Sequence, residues 1–287
     1  MIVRCLLCLL LPPAALAASL ACSVLRPTPT EERALAPLVG SFRRDCAQLR
    51  AIAEGLRGGR PVAIRGFLII DIARAVRAEL ASVEDWPLLK TATYSQHSLL
   101  LYEPEVRSRL PRAGYVVKLF ETDALLDWLA RLSGVALSHV EEEGRTVLEA
   151  SVSNYKAGDY SSWHTDDAAS QHKVTRRRLA FVLHLTQGWR SGLGGELLWS
   201  GPKEESGAGE LQVRDALAPA FNVLTLFRVG TRSYHRVNNT ALEFPEGYNR
   251  LALSGWYHAA AGAAAGEFEA AREHEGFVVV GEGKDEL

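Results

Sequence analysis

From position 145 onward the chain breaks into short, apolar, β-branched runs separated by Gly-, Pro- or Asn-rich turns, and that rhythm limits the folds open to it. Residues 147–155, 178–186, 195–199, 222–229 and 250–258 each read as a strand. Many short strands with such turns argue for a sandwich or barrel, here a double-sheet jelly roll. The upstream half has a different period. Between 31 and 56, Leu35, Leu38, Val39, Phe42, Cys46, Leu49, Ile52 and Leu56 recur at three- and four-residue spacing, which predicts one amphipathic helix ended by Gly58-Gly59. Residues 61–70 read as a strand. Asp71 reads as the cap of a second helix with Ile72, Val76, Leu80 and Val83 on one face. A third helix starts near Thr122-Asp123 and buries Leu125, Leu126, Leu129 and Leu132 before Ser133-Gly134. For all three, core packing accounts for the apolar face.

The chemistry gathers between 154 and 167, where Asn154-Tyr155-Lys156-Ala157-Gly158-Asp159-Tyr160 runs into His164-Thr165-Asp166-Asp167. On an extended segment the two-residue spacing turns His164 and Asp166 to one face. One imidazole and one carboxylate there are two thirds of the facial triad of non-haem iron(II) oxygenases. The competing reading is a solvated loop histidine beside two turn aspartates. His235 lies just past the 222–229 strand, where a metal ligand can be held rigidly at a barrel mouth. No cysteine follows position 46, so a metal site there must use His and carboxylates. Arg250 heads a strand whose alternate residues Ala252, Ser254 and Trp256 share its face. A guanidinium at the head of an inward row of mostly small residues calls for a buried anion, and a bidentate carboxylate suits it best. An edge arginine in a surface salt bridge is the other reading.

The order His164-x-Asp166, His235, Arg250 resembles the iron(II)/2-oxoglutarate dioxygenases, in particular their prolyl-hydroxylase branch. The likeness extends to Tyr155-x-x-Gly158-Asp159-Tyr160, the 178–185 strand, Gly194-Gly195-Glu196-Leu197, Ser233-x-His235-x-Val237, and Trp256-Tyr257 six residues after Arg250. It is similar both to the enzymes acting on a proline of a small-subunit ribosomal protein and to the prolyl 3- and 4-hydroxylases of the secretory pathway. The resemblance implies an α+β fold with a mainly β core, a double-stranded β-helix with the N-terminal helices packed on its outer sheet. It implies His164, Asp166 and His235 as iron(II) ligands and Arg250 as the partner of the distal carboxylate of 2-oxoglutarate. Tyr155 then lines the pocket, and Ser254 lies beside that carboxylate or the metal water. O2 is consumed, 2-oxoglutarate becomes succinate, an unactivated C–H is hydroxylated, and L-ascorbate keeps the iron reduced. Two departures stand out: residues 241–248 lengthen the interval from His235 to Arg250, and His184 stands where the branch often has a tyrosine for the cosubstrate. His184 is either a core histidine or a cosubstrate contact. As a contact, its protonated form would strengthen 2-oxoglutarate binding as pH falls from about 8 toward 6.

A lysyl or small-molecule hydroxylase is the alternative within this fold, and a non-catalytic jelly-roll binding module is the alternative outside it. A nucleic-acid demethylase is disfavoured by Trp256, where that branch places a second arginine. A formal net charge of −2 likewise gives no electrostatic argument for nucleic acid or an anionic membrane. A halogenase is disfavoured by Asp166, which occupies the position halide would need.

Both ends read as addresses. Residues 1–21 have the layout of a signal peptide, with a basic start, an apolar run too short for a stable membrane span and small residues before a cleavage site between Ala17 and Ser23. Lys284-Asp285-Glu286-Leu287 matches the retention signal of the endoplasmic reticulum lumen, which makes the KDEL receptor an expected partner beside a protein or peptide substrate. Residues 27–144 are expected to support a core at 145–258, and 259–287 to form a flexible tail. Cys22 and Cys46 either pair or, if Cys22 leaves with the signal, Cys46 stays free.

Overall fold

The computed structural model describes residues 22–142, 145–167, 175–200, 211–260 and 276–281. The expected signal peptide, the retention tetrapeptide and residues 168–174 and 201–210 lie outside these residues. In chain order the elements are α1 (Pro29–Leu35), a 3-10 turn (Ser41–Arg44), α2 (Cys46–Arg57), β1 (Val62–Arg65), α3 (Ile70–Ala81), β2 (Leu88–Lys90) and β3 (Tyr94–Leu100). Then follow α4 (Pro104–Arg109), α5 (Pro111–Phe120), α6 (Asp123–Ser133), β4 (Val140–Glu142), β5 (Arg145–Val147), β6 (Glu149–Tyr155) and β7 (Tyr160–Ser161). The last seven are β8 (Thr175–His184), β9 (Leu197–Ser200), β10 (Val213–Leu217), β11 (Val223–Arg228), β12 (His235–Val237), β13 (Arg250–Ala260) and β14 (Val278–Val280).

The strands form a jelly roll. A nine-stranded sheet runs β14-β1-β11-β8-β13-β6-β3-β2 with β7 on β3, and a three-stranded sheet runs β10-β9-β12. Strand period divides the large sheet's residues between two faces. On β8 the outward set Leu179, Phe181 and Leu183 joins the main core with the helices, while Ala180, Val182 and His184 line the interior. Phe120 of α5 stacks on Phe181 at 4.2 Å, and the Tyr257 hydroxyl donates to the Phe120 carbonyl at 2.7 Å. Each such fully buried side chain contributes about 1.5–3 kcal/mol, so the helices clamp the outer face of the sheet that builds the cavity.

Three expectations change. The single helix expected over 31–56 is three elements, because the chain must leave α1 to lie against residues 66–69. Gly40 donates to the Phe67 carbonyl at 2.7 Å, and a Cβ at Gly40 would sit 2.2 Å from the Gly66 oxygen. The helix restarts where the Asp45 carboxylate accepts from the Ala47 and Gln48 amides at 2.8 and 3.2 Å. Apolar spacing survives the break since both halves pack on one core. At the second helix Asp71 is not the cap: Ile69 holds that position without a side-chain bond, and Asp71 lies in the first turn, where its charge favours the positive helix end. Third, part of the expected flexible tail is structural. Val278–Val280 pairs in parallel with β1 at the rim of the large sheet. The third helix matches its reading, with Thr122 accepting from Leu125 and Gly134 closing it at φ +68°.

Cys22 and Cys46 are disulfide-bonded. Among the described residues no helix is long and apolar enough to cross a membrane.

Candidate metal and anion site

β13 lays down the cavity as a series of cross-strand rungs. Arg250 pairs with Tyr155, Ala252 with Ser153 and His184, Ser254 with Ser151 and Val182, and Trp256 with Glu149 and Ala180. Arg250, Ala252, Ser254 and Trp256 all line one cavity of about 440 Å³. Small residues on the middle rungs leave its interior open, and the large polar or aromatic ones stand at its ends.

The His164, Asp166 and His235 side chains come from the opposite wall. His164 and His235 exchange both backbone hydrogen bonds at 3.0 Å, an isolated antiparallel bridge that brings their rings to 4.3 Å between centroids. Asp166 fills the space between them: its Oδ1 is 3.7 Å from His164 Nε2 and its Oδ2 is 3.5 Å from His235 Nε2. One ligand atom from each residue lies within 4.8 Å of the others. His164 Nδ1 donates to the Ser162 carbonyl at 2.8 Å, and His235 Nδ1 to the Ser233 carbonyl at 2.9 Å. Each histidine is thus anchored two residues back along its own chain, which leaves Nε2 as the lone-pair atom facing Asp166. Burial, and then the nearby His164, pull the His235 pKa down against the Asp166 carboxylate. Two imidazoles and one carboxylate are a donor set that fits an iron(II) ion. Asp167, the neighbour, is outside this cluster.

At the far end Arg250 is 2% exposed. Its Nε and Nη2 both donate to the Gly195 carbonyl, at 3.0 and 2.9 Å, and its guanidinium lies 4.5 Å from the centre of the Tyr155 ring. Among the described residues it has no carboxylate ion-pair partner. Burial pulls its pKa down, and nearby Tyr155, Tyr248 and Glu196 offset part of that. A buried cation without a counter-charge is costly, so this end of the cavity is prepared for an anion. The Gly194-Gly195 pair makes the approach possible. Gly195 sits at φ +77°, and a Cβ there would meet Arg250 Cγ at 3.2 Å; one at Gly194 would strike the Asn239 oxygen at 2.0 Å.

The remaining sequence candidates separate. Tyr155 is buried in the cavity wall and donates to Gln96 Oε1 at 2.8 Å; burial pushes its hydroxyl up to about 12, so it stays protonated. His184 is fully buried on the rung next to Arg250. Its Nε2 is 3.2 Å from Thr225 Oγ1, and its Nδ1 has no hydrogen-bond partner among the described residues. Burial and the Arg250 guanidinium hold it well below the ordinary histidine value. Without a bound anion, burial and Arg250 thus favour the neutral imidazole. Ser254 lines the cavity two rungs from Arg250, next to Ser151 Oγ at 3.5 Å, which sets it apart from the arginine end.

Other residues enter unannounced. Gln96 and Thr225 had no motif to mark them. At the opposite end the Arg177 guanidinium lies 3.7 Å over the Trp256 ring and reaches Glu149 at 2.9 Å, while His258 Nε2 is 3.2 Å from the same carboxylate oxygen. Asp159 explains the Gly158-Asp159-Tyr160 signature as a brace. It accepts from the Ser95 hydroxyl and the Lys156 amide, each at 2.8 Å, and pairs with His97 Nδ1 at 2.8 Å, which fixes the turn that leads to His164.

Residues 150–258 match the 2OG-Fe(II) oxygenase superfamily. The chain is 29% identical over 131 residues to mouse prolyl 3-hydroxylase OGFOD1, covering 46% of this chain and 21% of that one. It is 25% identical over 201 residues to Drosophila melanogaster prolyl 3-hydroxylase sudestada1, covering 67% of this chain and 33% of that one. It therefore spans a third or less of these relatives' length. The fold is shared with a Pseudomonas putida prolyl-4-hydroxylase at TM-score 0.51 and 19% identity, over 74% of this chain and 100% of that one. It is also shared with a Trichoplax adhaerens prolyl hydroxylase in complex with a hypoxia inducible factor peptide fragment, at TM-score 0.53 and 19% identity, over 74% and 89%.

Proposed function

We propose that this chain, whose residues 150–258 belong to the 2OG-Fe(II) oxygenase superfamily, is a 2-oxoglutarate-dependent hydroxylase acting on peptidyl-proline. The observation that carries the reading is a single cavity lined at once by His164, Asp166, His235 and the buried Arg250, which has no carboxylate partner among the described residues. His164, Asp166 and His235 would hold iron(II), which in this superfamily activates O2 at the expense of 2-oxoglutarate. Arg250 takes the distal carboxylate of the cosubstrate, and Tyr155 floors that subsite as a neutral phenol. Arg250 and the Trp256–Arg177 pair occupy opposite ends of the rung series, and the cosubstrate fills the Arg250 end. The apolar wall of Ala180, Val182 and Phe227 excludes water from the space between. The prolyl choice rests on the names of the relatives and structural neighbours, which are prolyl hydroxylases.

A location in the endoplasmic reticulum lumen, retention by the KDEL receptor and reduction of iron by L-ascorbate belong to the same proposal. The Cys22–Cys46 disulfide supports an oxidising compartment.

The test is succinate release from 2-oxoglutarate by the iron-loaded protein with proline-containing peptides, with mass spectrometry for the gain of one oxygen. Comparison of the lumenal proteome with and without the protein would identify the substrate. Iron-dependent succinate with oxygen on lysine would replace the prolyl assignment. No succinate with any peptide or small molecule would leave a binding module.

A further inference from the structure

The segment after β13 returns to the molecule in a way the strand pattern gave no reason to expect. Gly276 and Phe277 cross the small sheet before β14 docks on the large one. Asp215 Oδ2, on β10, accepts from the Phe277 amide at 2.5 Å, and Arg60 Nε donates to the Gly276 carbonyl at 3.1 Å. The approach is close enough that a Cβ at Gly276 would sit 2.0 Å from Asp215 Oδ2. Two residues on, the Val278 amide donates to the Pro61 carbonyl at 3.0 Å and β14 pairs with β1. A short strap thus ties the two sheets together.

The strap's one aromatic ring is placed behind the metal-ligating cluster. Phe277 packs edge-on against Trp199 at 6.5 Å between centroids. Trp199 is buried on β9, whose pairing with β12 sets it directly opposite His235. Its indole lies nearly parallel to the His235 imidazole, 5.9 Å between centroids and 15° apart. Phe227 packs against both, 5.2 Å from Trp199 and 4.7 Å from His235. Trp199 and Phe227, with Ala180 and Val229, form a second apolar cluster separate from the main core, and Phe277 is one of the partly buried residues packed against it.

We infer that the strap Gly276–Val280 positions the metal-ligating imidazole of His235, with Phe277 acting through Trp199. The inference rests on the proposed iron role of His235. The Ser233 carbonyl fixes one edge of that imidazole, but one hydrogen bond leaves the ring free to tilt about its own axis. The stacked indole removes that freedom, and Phe277 holds the indole in place. Phe277 and Asp215 are positioning residues, since neither touches the ligand cluster.

The test uses the full chain and cobalt(II) as the probe, read by visible absorption and by titration, in the absence of substrate. Phe277→Ala is expected to weaken cobalt affinity by roughly 3- to 10-fold, less than the 10–100-fold typical of groups bonded directly to a ligand, and to alter the ligand-field bands. Phe277→Leu should restore most of the affinity. Asp215→Ala, which loosens the strap without cutting the apolar cluster, should move both readouts the same way, and Val279→Ala, on an exposed position of the same strand, should move neither. Wild-type bands and affinity in Asp215→Ala or in a folded Phe277→Ala would overturn the inference alone. A wild-type protein that binds no cobalt would instead sink the metal reading of His235, and this inference with it.

Discussion

At the scale of single residues, His184 and Thr225 carry the most chain-specific chemistry. A neutral imidazole has one N–H, and Thr225 decides where it sits: if the threonine hydroxyl donates to Nε2, the proton belongs to Nδ1, which is then the ring's remaining donor. Burial and Arg250 hold the histidine pKa down, which favours the neutral form from pH 8 down to 6. Over that range 2-oxoglutarate affinity should therefore follow parallel profiles in the wild type and in His184→Tyr. Thr225→Val removes the hydroxyl that sets the tautomer and should weaken 2-oxoglutarate binding about 2- to 10-fold, the worth of one neutral hydrogen bond. Calorimetric titration checks both, and affinity that rises toward pH 6 in the wild type alone would restore the charged histidine. Arg250→Ala leaves a carboxylate without its bidentate partner and should cost about 2–5 kcal/mol of cosubstrate binding; unchanged 2-oxoglutarate affinity would move the anion site elsewhere. Asp166→Ala should abolish metal-dependent turnover while Asp167→Ala keeps most of it, because only Asp166 lies between the two imidazoles. Equal activities in those two variants would refute the ligand set.

At the scale of elements, the rung formed by Glu149 and Trp256 ties β6, β13 and β8 at the end of the rung series opposite Arg250. Burial would raise the Glu149 pKa, but hydrogen bonds with His258 and Arg177 outweigh it and bring the carboxyl down to about 2. A depressed carboxylate stabilises the fold above its unfolded value of about 4.3, and that contribution is lost as pH falls toward the folded value. Glu149→Gln should therefore lower the melting temperature at pH 7 and flatten its decline between about pH 5 and 2; a variant with the same acid limb as wild type would show that the rung is not coupled to stability. The strand region was legible in the sequence because β-branched runs and turn glycines state their period locally, and β8, β11 and β13 lie within a few residues of their expected bounds. His164, Asp166, His235 and Arg250 were legible for the same reason, each tied to a strand end or a parity. The Glu149–Arg177–His258 cluster was not, since its members join only through register between three strands. Nor was β3, whose Ser-Gln-His composition carries no strand signal and whose Gln96 meets Tyr155 only by pairing beside β6. The broken first helix failed for a different cause: apolar spacing reports which face is buried and says nothing of a backbone contact such as that of Gly40 with Gly66.

At the scale of the whole molecule, the Cys22–Cys46 bond fastens the start of the described chain to α2. With a sequence separation of 24, such a link stabilises by about 3 kcal/mol in the chain-entropy view. Replacing both cysteines by serine should lower the urea midpoint, with little change in 2-oxoglutarate affinity, because the bond lies on the helical side away from the cavity. An unchanged midpoint would show that the loop it closes is already ordered. Removing Lys284–Leu287 is expected to release the protein to the medium with full activity, and intracellular retention of that form would point to another tether. The two rims of the large sheet face different hazards. One rim is β2, three residues long, with Leu88 and Leu89 exposed and a terminal lysine; short, charged edges of this kind recruit other strands poorly. The other rim would be β1, Val62–Arg65, an apolar run paired with β11 on one side and, among the described residues, covered on the other by β14. The few residues of the returning strap therefore protect solubility as well as shape: a chain ending before Gly276 would present an open Val-Ala-Ile edge and should self-associate in a concentration-dependent way visible by light scattering, whereas one ending after Gly281 should remain monodisperse.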